Sequence, residues 1–232
     1  MDRRWLLCGL VAALMAPMVV LWGGVQWTAH APRAFNHVTQ TISELVARDA
    51  PGRAAVSALF VIYNGLLAAF GLALRDLAGG QGPAGGHGEQ AGDRVVALAA
   101  LGVLLLAAPM DPVGAPRSPI GLVHTSIAGM MAVVATGAAL SGGRWLGHEP
   151  GMAAYARLSQ ATVALMILFG ALTLAGSWLE LLGLMERLLT GAFEVWLGVV
   201  AVGLYRAVGE TRAGEGAREQ AAHGRSQVAD GG

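Results

Sequence analysis

The stretch WLLCGLVAALMAPMVVLWGGVQW, residues 5–27, decides the class of this chain. It holds no charged side chain, and a helix needs about 20 mainly apolar residues to cross the hydrocarbon core of a bilayer. Trp22 and Trp27 suit the aromatic belt of a membrane interface. Arg3 and Arg4 precede the run, and Ala29-His30-Ala31 has the small-residue look of a leader cleavage site. A cleaved leader is therefore the rival reading. The run exceeds the usual leader core of about 7–15 residues, so a retained first helix is expected.

Working outward, five more apolar runs follow, at about 54–75, 94–110, 119–141, 156–180 and 187–208, each near the length of a crossing. The expected architecture is all-α: a polytopic bundle of six transmembrane helices over residues 1–208, then a disordered polar cytoplasmic tail over 209–232. Composition agrees. The chain is 55% hydrophobic and only 13% charged, against about 25% charged for an ordinary soluble domain. A net charge of zero argues against a nucleic-acid partner. The partner implied is the lipid bilayer. Cys8 is the single cysteine, so no internal disulfide is available.

Every basic residue is arginine, and arginine placement suggests an orientation. With the N-terminus inside, the inner segments hold Arg3, Arg4, Arg75, Arg94, Arg144, Arg157, Arg206, Arg212, Arg218 and Arg225. The outer ones hold Arg33, Arg48, Arg53, Arg117 and Arg187. The positive-inside rule then favours N-in and C-in.

The first outer connection is the longest. Thr41-Ile42-Ser43-Glu44 fits a capping box, with Thr41 as N-cap and Glu44 three residues on. A short helix to Arg48 is expected, lying on the membrane surface through Ile42, Leu45 and Val46. The Gly-rich stretch 78–93 reads as a flexible inner linker; it lacks the Lys-Ser/Thr ending of a phosphate loop. Ser118 as N-cap with Pro119 at the first helical position starts the fourth helix. Gly65 with Ala69, and Ala171 with Ala175, have the small-xxx-small spacing of helix contacts.

The remaining polar residues are the site candidates. Asp111 closes the third helix, and His124 lies roughly 7–8 Å into the fourth at 1.5 Å per residue. A carboxylate beside an imidazole orients it and raises its pKa, as a general base requires. Ser43 would complete a Ser-His-Asp set through the outer loop. The bland alternative is a solvated Asp, a His bonded to a neighbouring helix and a structural Ser. His30 and His37 match no zinc spacing, and no metal site is assigned. Asn64 and Glu194 lie inside apolar helices, where a charged group costs about 2.5–3.5 kcal/mol on insertion scales. They read as anchors for a ligand, or as helix glue with Glu194 bonded to Asn64 or Gln160. Glu186 and Arg187 sit at the outer turn, where Arg187 is expected to reach Glu180 or Asp111.

These residues also carry a resemblance. Thr41-Ile42-Ser43-Glu44-Leu45, Asn64-Gly65, Pro109-Met110-Asp111, Gly121-Leu122-Val123-His124 and Gly183-Leu184-Met185-Glu186-Arg187 followed by Trp196 stand in that order. Together they resemble the family of six-helix prokaryotic membrane proteins called domain of unknown function 998, over roughly residues 5–208. The resemblance implies a six-helix bundle in a prokaryotic plasma membrane and no established activity. A more distant likeness is to the membrane hydrolases of the alkaline ceramidase and progestin-receptor-like group, which use Ser, Asp and several His around zinc. This chain has one helix fewer and lacks their His-x-x-x-His pair, with Phe193-Glu194-Val195-Trp196 at that place.

Three functions stay open. The first is binding or sensing of a lipid or small amphiphile through Asn64, Glu194, Glu186 and Arg187. The second is an outer-leaflet hydrolase using Ser43, Asp111 and His124. The third is a structural or assembly role. Whether the chain is an enzyme, which cofactor it would take and its oligomeric state are not legible in the sequence.

Overall fold

The computed structural model describes residues 3–79, 82–111, 115–176 and 180–230, the side chains of 82–84, 175–176 and 212–230 excepted. A single 3-10 turn at Arg3–Leu6 leads into six helices: α1 (Leu7–His30), α2 (Arg53–Ala78), α3 (Gly82–Ala107), α4 (Pro119–Leu146), α5 (Ala153–Gly176) and α6 (Leu182–Asp230). All six are long and apolar enough to cross a membrane. In hydrocarbon each backbone N–H and C=O must find its partner within the protein, and a helix supplies that partner locally. The outward faces carry large apolar side chains such as Met18, 65% exposed, and Val133, 73% exposed, which lipid tails cover.

Consecutive helices pack side by side, and α6 closes against α1, so the bundle is a ring with a smaller contact between α4 and α6. The described residues between α1 and α2, α3 and α4, and α5 and α6 (31–52, 108–111 with 115–118, and 180–181) share one end, called here the long-loop end. The main core lies toward the other end, built on Phe70, Leu74, Trp145, Leu146, Trp196 and Leu197.

Several expectations need correction. The Gly-rich stretch is not a linker: α3 starts at Gly82, so residues 82–93 are helical. The glycines serve close approach. A Cβ on Gly92 would meet the Gly71 carbonyl of α2 at 2.5 Å, and one on Gly88 would meet the Trp145 ring of α4 at 2.7 Å. Tertiary contact thus outweighs the poor helix propensity of glycine, about 1 kcal/mol per residue. Gly65, by contrast, faces open space rather than a neighbouring helix, and Ala175 lies outside the described side chains. The backbone of α6 is helical to Asp230, past the boundary expected at 208; residues 209–230 hold no proline, five alanines and four glycines.

The long connection also differs from expectation. Its short helix is one 3-10 turn, Ser43–Val46, and it is drawn into the bundle mouth rather than laid on the membrane surface. Leu45 and Val46 are buried with Val19, Val20, Phe35 and Val56, and Ile42 packs against them. Gly23 and Gly24 of α1 make room: a Cβ on the first would press Leu45, and on the second the His37 ring. Burying three apolar side chains is worth more than leaving them at an interface.

Candidate functional site

The long-loop end is organised by hydrogen bonds between the loop and α6. The expected capping box forms reciprocally: the Thr41 amide donates to Glu44 Oε1 at 3.1 Å, and the Glu44 amide to Thr41 Oγ1 at 3.3 Å. Gln40 Nε2 donates to Glu44 Oε2 at 2.8 Å, so Glu44 is a buried acceptor of loop donors as well as a cap. From α6, Glu186 Oε2 accepts from the Ile42 amide at 2.7 Å. The Leu184 amide donates to the Val38 carbonyl at 2.9 Å.

Arg187 Nη1 donates to the carbonyls of Gln40 at 2.7 Å and Gly183 at 2.8 Å. Its partners are thus backbone carbonyls, not the carboxylates expected from sequence. The Gly183 Cα lies so close to the Gln40 carbonyl that no side chain fits between. The guanidinium lies over the Phe35 ring, 5.5 Å from its centroid. Its Nε and Nη2 are buried without a hydrogen-bond partner. His37 stands edge-on to Phe35, with centroids 4.9 Å apart. Partial burial, and then the Arg187 charge, lower its pKa.

Ser43, Asp111 and His124 share no hydrogen bond among the described residues. Asp111 is spent on the start of α4: its Oδ2 accepts from the Ser118 amide at 2.7 Å and its Oδ1 from the Ser118 hydroxyl at 2.6 Å. The Ser118 hydroxyl, then the Ser118 amide, hold the Asp111 carboxyl below the usual carboxylate range. Ser118 in turn caps α4 by accepting from the Gly121 amide at 3.1 Å, as its sequence position foretells.

His124 is 2% exposed, and its Nδ1 lies 2.7 Å from the Ala108 carbonyl just past the end of α3. A carbonyl only accepts, so Nδ1 carries a hydrogen, and Nε2 is left buried without a partner. His124 therefore satisfies one of the orphan carbonyls that every helix end leaves. Ser43 begins the 3-10 turn and is half-buried.

Asn64 and Glu194 do not meet as partners. The Asn64 amide nitrogen donates to the Phe60 carbonyl at 2.7 Å, and its carbonyl oxygen, unpartnered, presses on Gly102 of α3. Glu194 Oε1 instead accepts from the Tyr63 hydroxyl of α2, and Oε2 is buried without a partner. Adjacent helical residues point about 100° apart, so Tyr63 and Asn64 serve opposite neighbours. Tyr63 was missed in the sequence because a Tyr in an apolar run reads as packing. The usable signal is that a buried Tyr hydroxyl ordinarily finds a partner. Glu44 was missed as a site residue because its capping role accounts for it locally. Among the described residues no group of three His, Cys, Asp or Glu is placed to hold a metal.

A family model described as protein of unknown function (DUF998) matches residues 10–203, in agreement with the resemblance carried by the short motifs. No curated protein and no solved structure matches the chain.

Proposed function

We propose a ligand-binding role for this chain, which belongs to the DUF998 family: it binds or senses a lipid or small amphiphile, in the plasma membrane of a prokaryote. One observation carries the reading. Glu194 holds one oxygen on Tyr63 and has the other buried in an apolar bundle with no partner. Leaving a buried acceptor unmet costs about 1–3 kcal/mol, and more for a charged group. A ligand hydroxyl or amine reaching Oε2 removes that cost. Asn64 offers a second unmet acceptor beside α3.

The test is the lipid retained by the purified protein, read by mass spectrometry. Tyr63→Phe/Glu194→Leu removes both polar groups, so it leaves no orphan behind and should keep the fold. We expect its bound lipid to fall several-fold against wild type, with a smaller fall for Asn64→Ala. Lipid at wild-type level in both variants, with the thermal midpoint unchanged, would remove this reading and favour a structural or assembly role.

A further inference from the structure

We infer that Arg187 is the head-group site of this ligand, and that the ligand is an amphiphile with an anionic head and a hydroxyl partway down its chain. The inner end of this inference rests on the role proposed for Glu194; the head-group end stands on Arg187 alone.

Arg187 is held as a receptor would hold it. Nη1 is fixed by two backbone carbonyls, and Phe35 supports the face of the guanidinium. Those contacts leave the edge formed by Nε and Nη2, which is the edge that takes a carboxylate or phosphate in a two-pronged grip. Both nitrogens are shut from solvent and unpartnered, so bulk water does not supply the missing acceptor. The nearby carboxylates are turned to the loop: Glu44 takes the Thr41 and Gln40 donors, and Glu186 the Ile42 amide. Among the described residues Arg187 makes no ion pair.

The helix geometry then sets the ligand's length. Positions 187, 191 and 194 are spaced i, i+4 and i+7, one stripe of α6. Arg187 and Glu194 are separated by about 10 Å along the axis, seven residues at 1.5 Å each. Gly191 lies between them, and a Cβ built on it meets no atom within 4 Å. The upper end of the stripe lacks an acceptor and the lower end lacks a donor. The guanidinium reaches back one turn to the Gly183 carbonyl, so the span between the two polar groups is somewhat longer than this rise, and an anionic head with a hydroxyl or similar donor partway down a bent chain answers both.

The experiment measures retention of ricinoleic acid, oleic acid and methyl ricinoleate by the purified full chain in detergent. Wild type should hold ricinoleic acid roughly ten-fold better than its methyl ester, the size of one hydrogen bond to a charged group. It should also hold ricinoleic acid better than oleic acid. Arg187→Gln should abolish the preference for acid over ester. Arg187→Lys, which keeps a cation without the fork, should retain part of it. Arg117→Gln, an exposed arginine at the same end, should leave it unchanged.

Glu194→Leu should abolish only the preference for ricinoleic over oleic acid. If it does not while the Arg187 effects hold, the Glu194 role fails and the head-group site survives. An acid preference undiminished in Arg187→Lys and Arg187→Gln overturns the head-group site. If Arg187→Gln does not fold, Arg187→Lys decides alone. Loss of the preference in Arg117→Gln, or displacement of ricinoleic acid by acetate, overturns it too, the first as nonspecific attraction and the second as a site for free anions.

Discussion

At the long-loop end, α6 is joined to the first loop mainly by hydrogen bonds between side chains and backbone; toward the opposite end the helices meet through glycines set against backbone and buried tryptophan rings. Glu186, Arg187 and Glu44 hold a loop of irregular chain in the bundle mouth. Gly71 against Gly92, Gly88 against Trp145, and Gly142 and Ser159 against Trp196 bring α2, α3, α4, α5 and α6 together at the other end. Van der Waals packing of small residues drives helix association in lipid, where no hydrophobic effect separates one helix from another. Buried polar atoms without partners occur in both regions: His87 Nδ1 lies beside Gly88 at the packed end, and the others lie nearer the loops. Arg187 lies at the loop junction and Glu194 lies two turns below it.

The contrast can be broken most sharply at the packed end. Trp196 is fully buried and donates to Ser159 Oγ at 2.8 Å. Trp196→Ala should cost about 3–5 kcal/mol in reversible unfolding from detergent, as large-to-small changes at full burial do. Gly92→Ala should cost about 1–3 kcal/mol by the same measurement, because its neighbours at 2.5–2.7 Å are backbone atoms that give way only if the helices part. Gly65→Ala, which meets nothing, is the matched control and should be neutral or stabilising by up to about 1 kcal/mol. Equal losses at the two glycines would refute the distinction between packed and open faces.

At the loop end the expected effects are smaller. Glu44→Gln replaces an acceptor-only group with one whose amide faces the Thr41 or Gln40 donors. It should cost about 1–3 kcal/mol and speed proteolysis within 31–52 before the helices unfold. Ser118→Ala removes the α4 cap and should cost about 1 kcal/mol. The smallest effect concerns pH. The folded pKa of Asp111 is lowered by Ser118, so its contribution is complete above the unfolded value of about 3.9. That contribution is lost as pH falls through the folded value. Asp111→Asn should remove this part of the acid sensitivity by losing the contribution at neutral pH, so that the variant is slightly less stable than wild type at pH 7 and converges with it in acid; an unchanged acid profile would count against it.

Much of the frame was legible before any coordinates. Ser118-Pro119 starts α4 and Thr41–Glu44 forms its box because capping chemistry acts over three residues. The Gly-rich stretch 82–93 misled, because its meaning lies in what α2 and α4 bring against it. The site was legible only in part. Arg187, Glu186, Asn64 and Glu194 stand out as polar residues in an apolar chain, but their partners did not. Asp111 lies in reach of His124 by loop length, yet Ser118, seven residues away, takes both of its oxygens.

Run length and charge by themselves determined the solvent, the six crossings and the helical class, because a bilayer imposes those through properties each segment carries alone. Tertiary structure decided which polar atoms meet and which are left unmet. Each helix's rotation is set by its neighbours, and one residue of rotation, from Asn64 to Tyr63, changes which helix a side chain addresses.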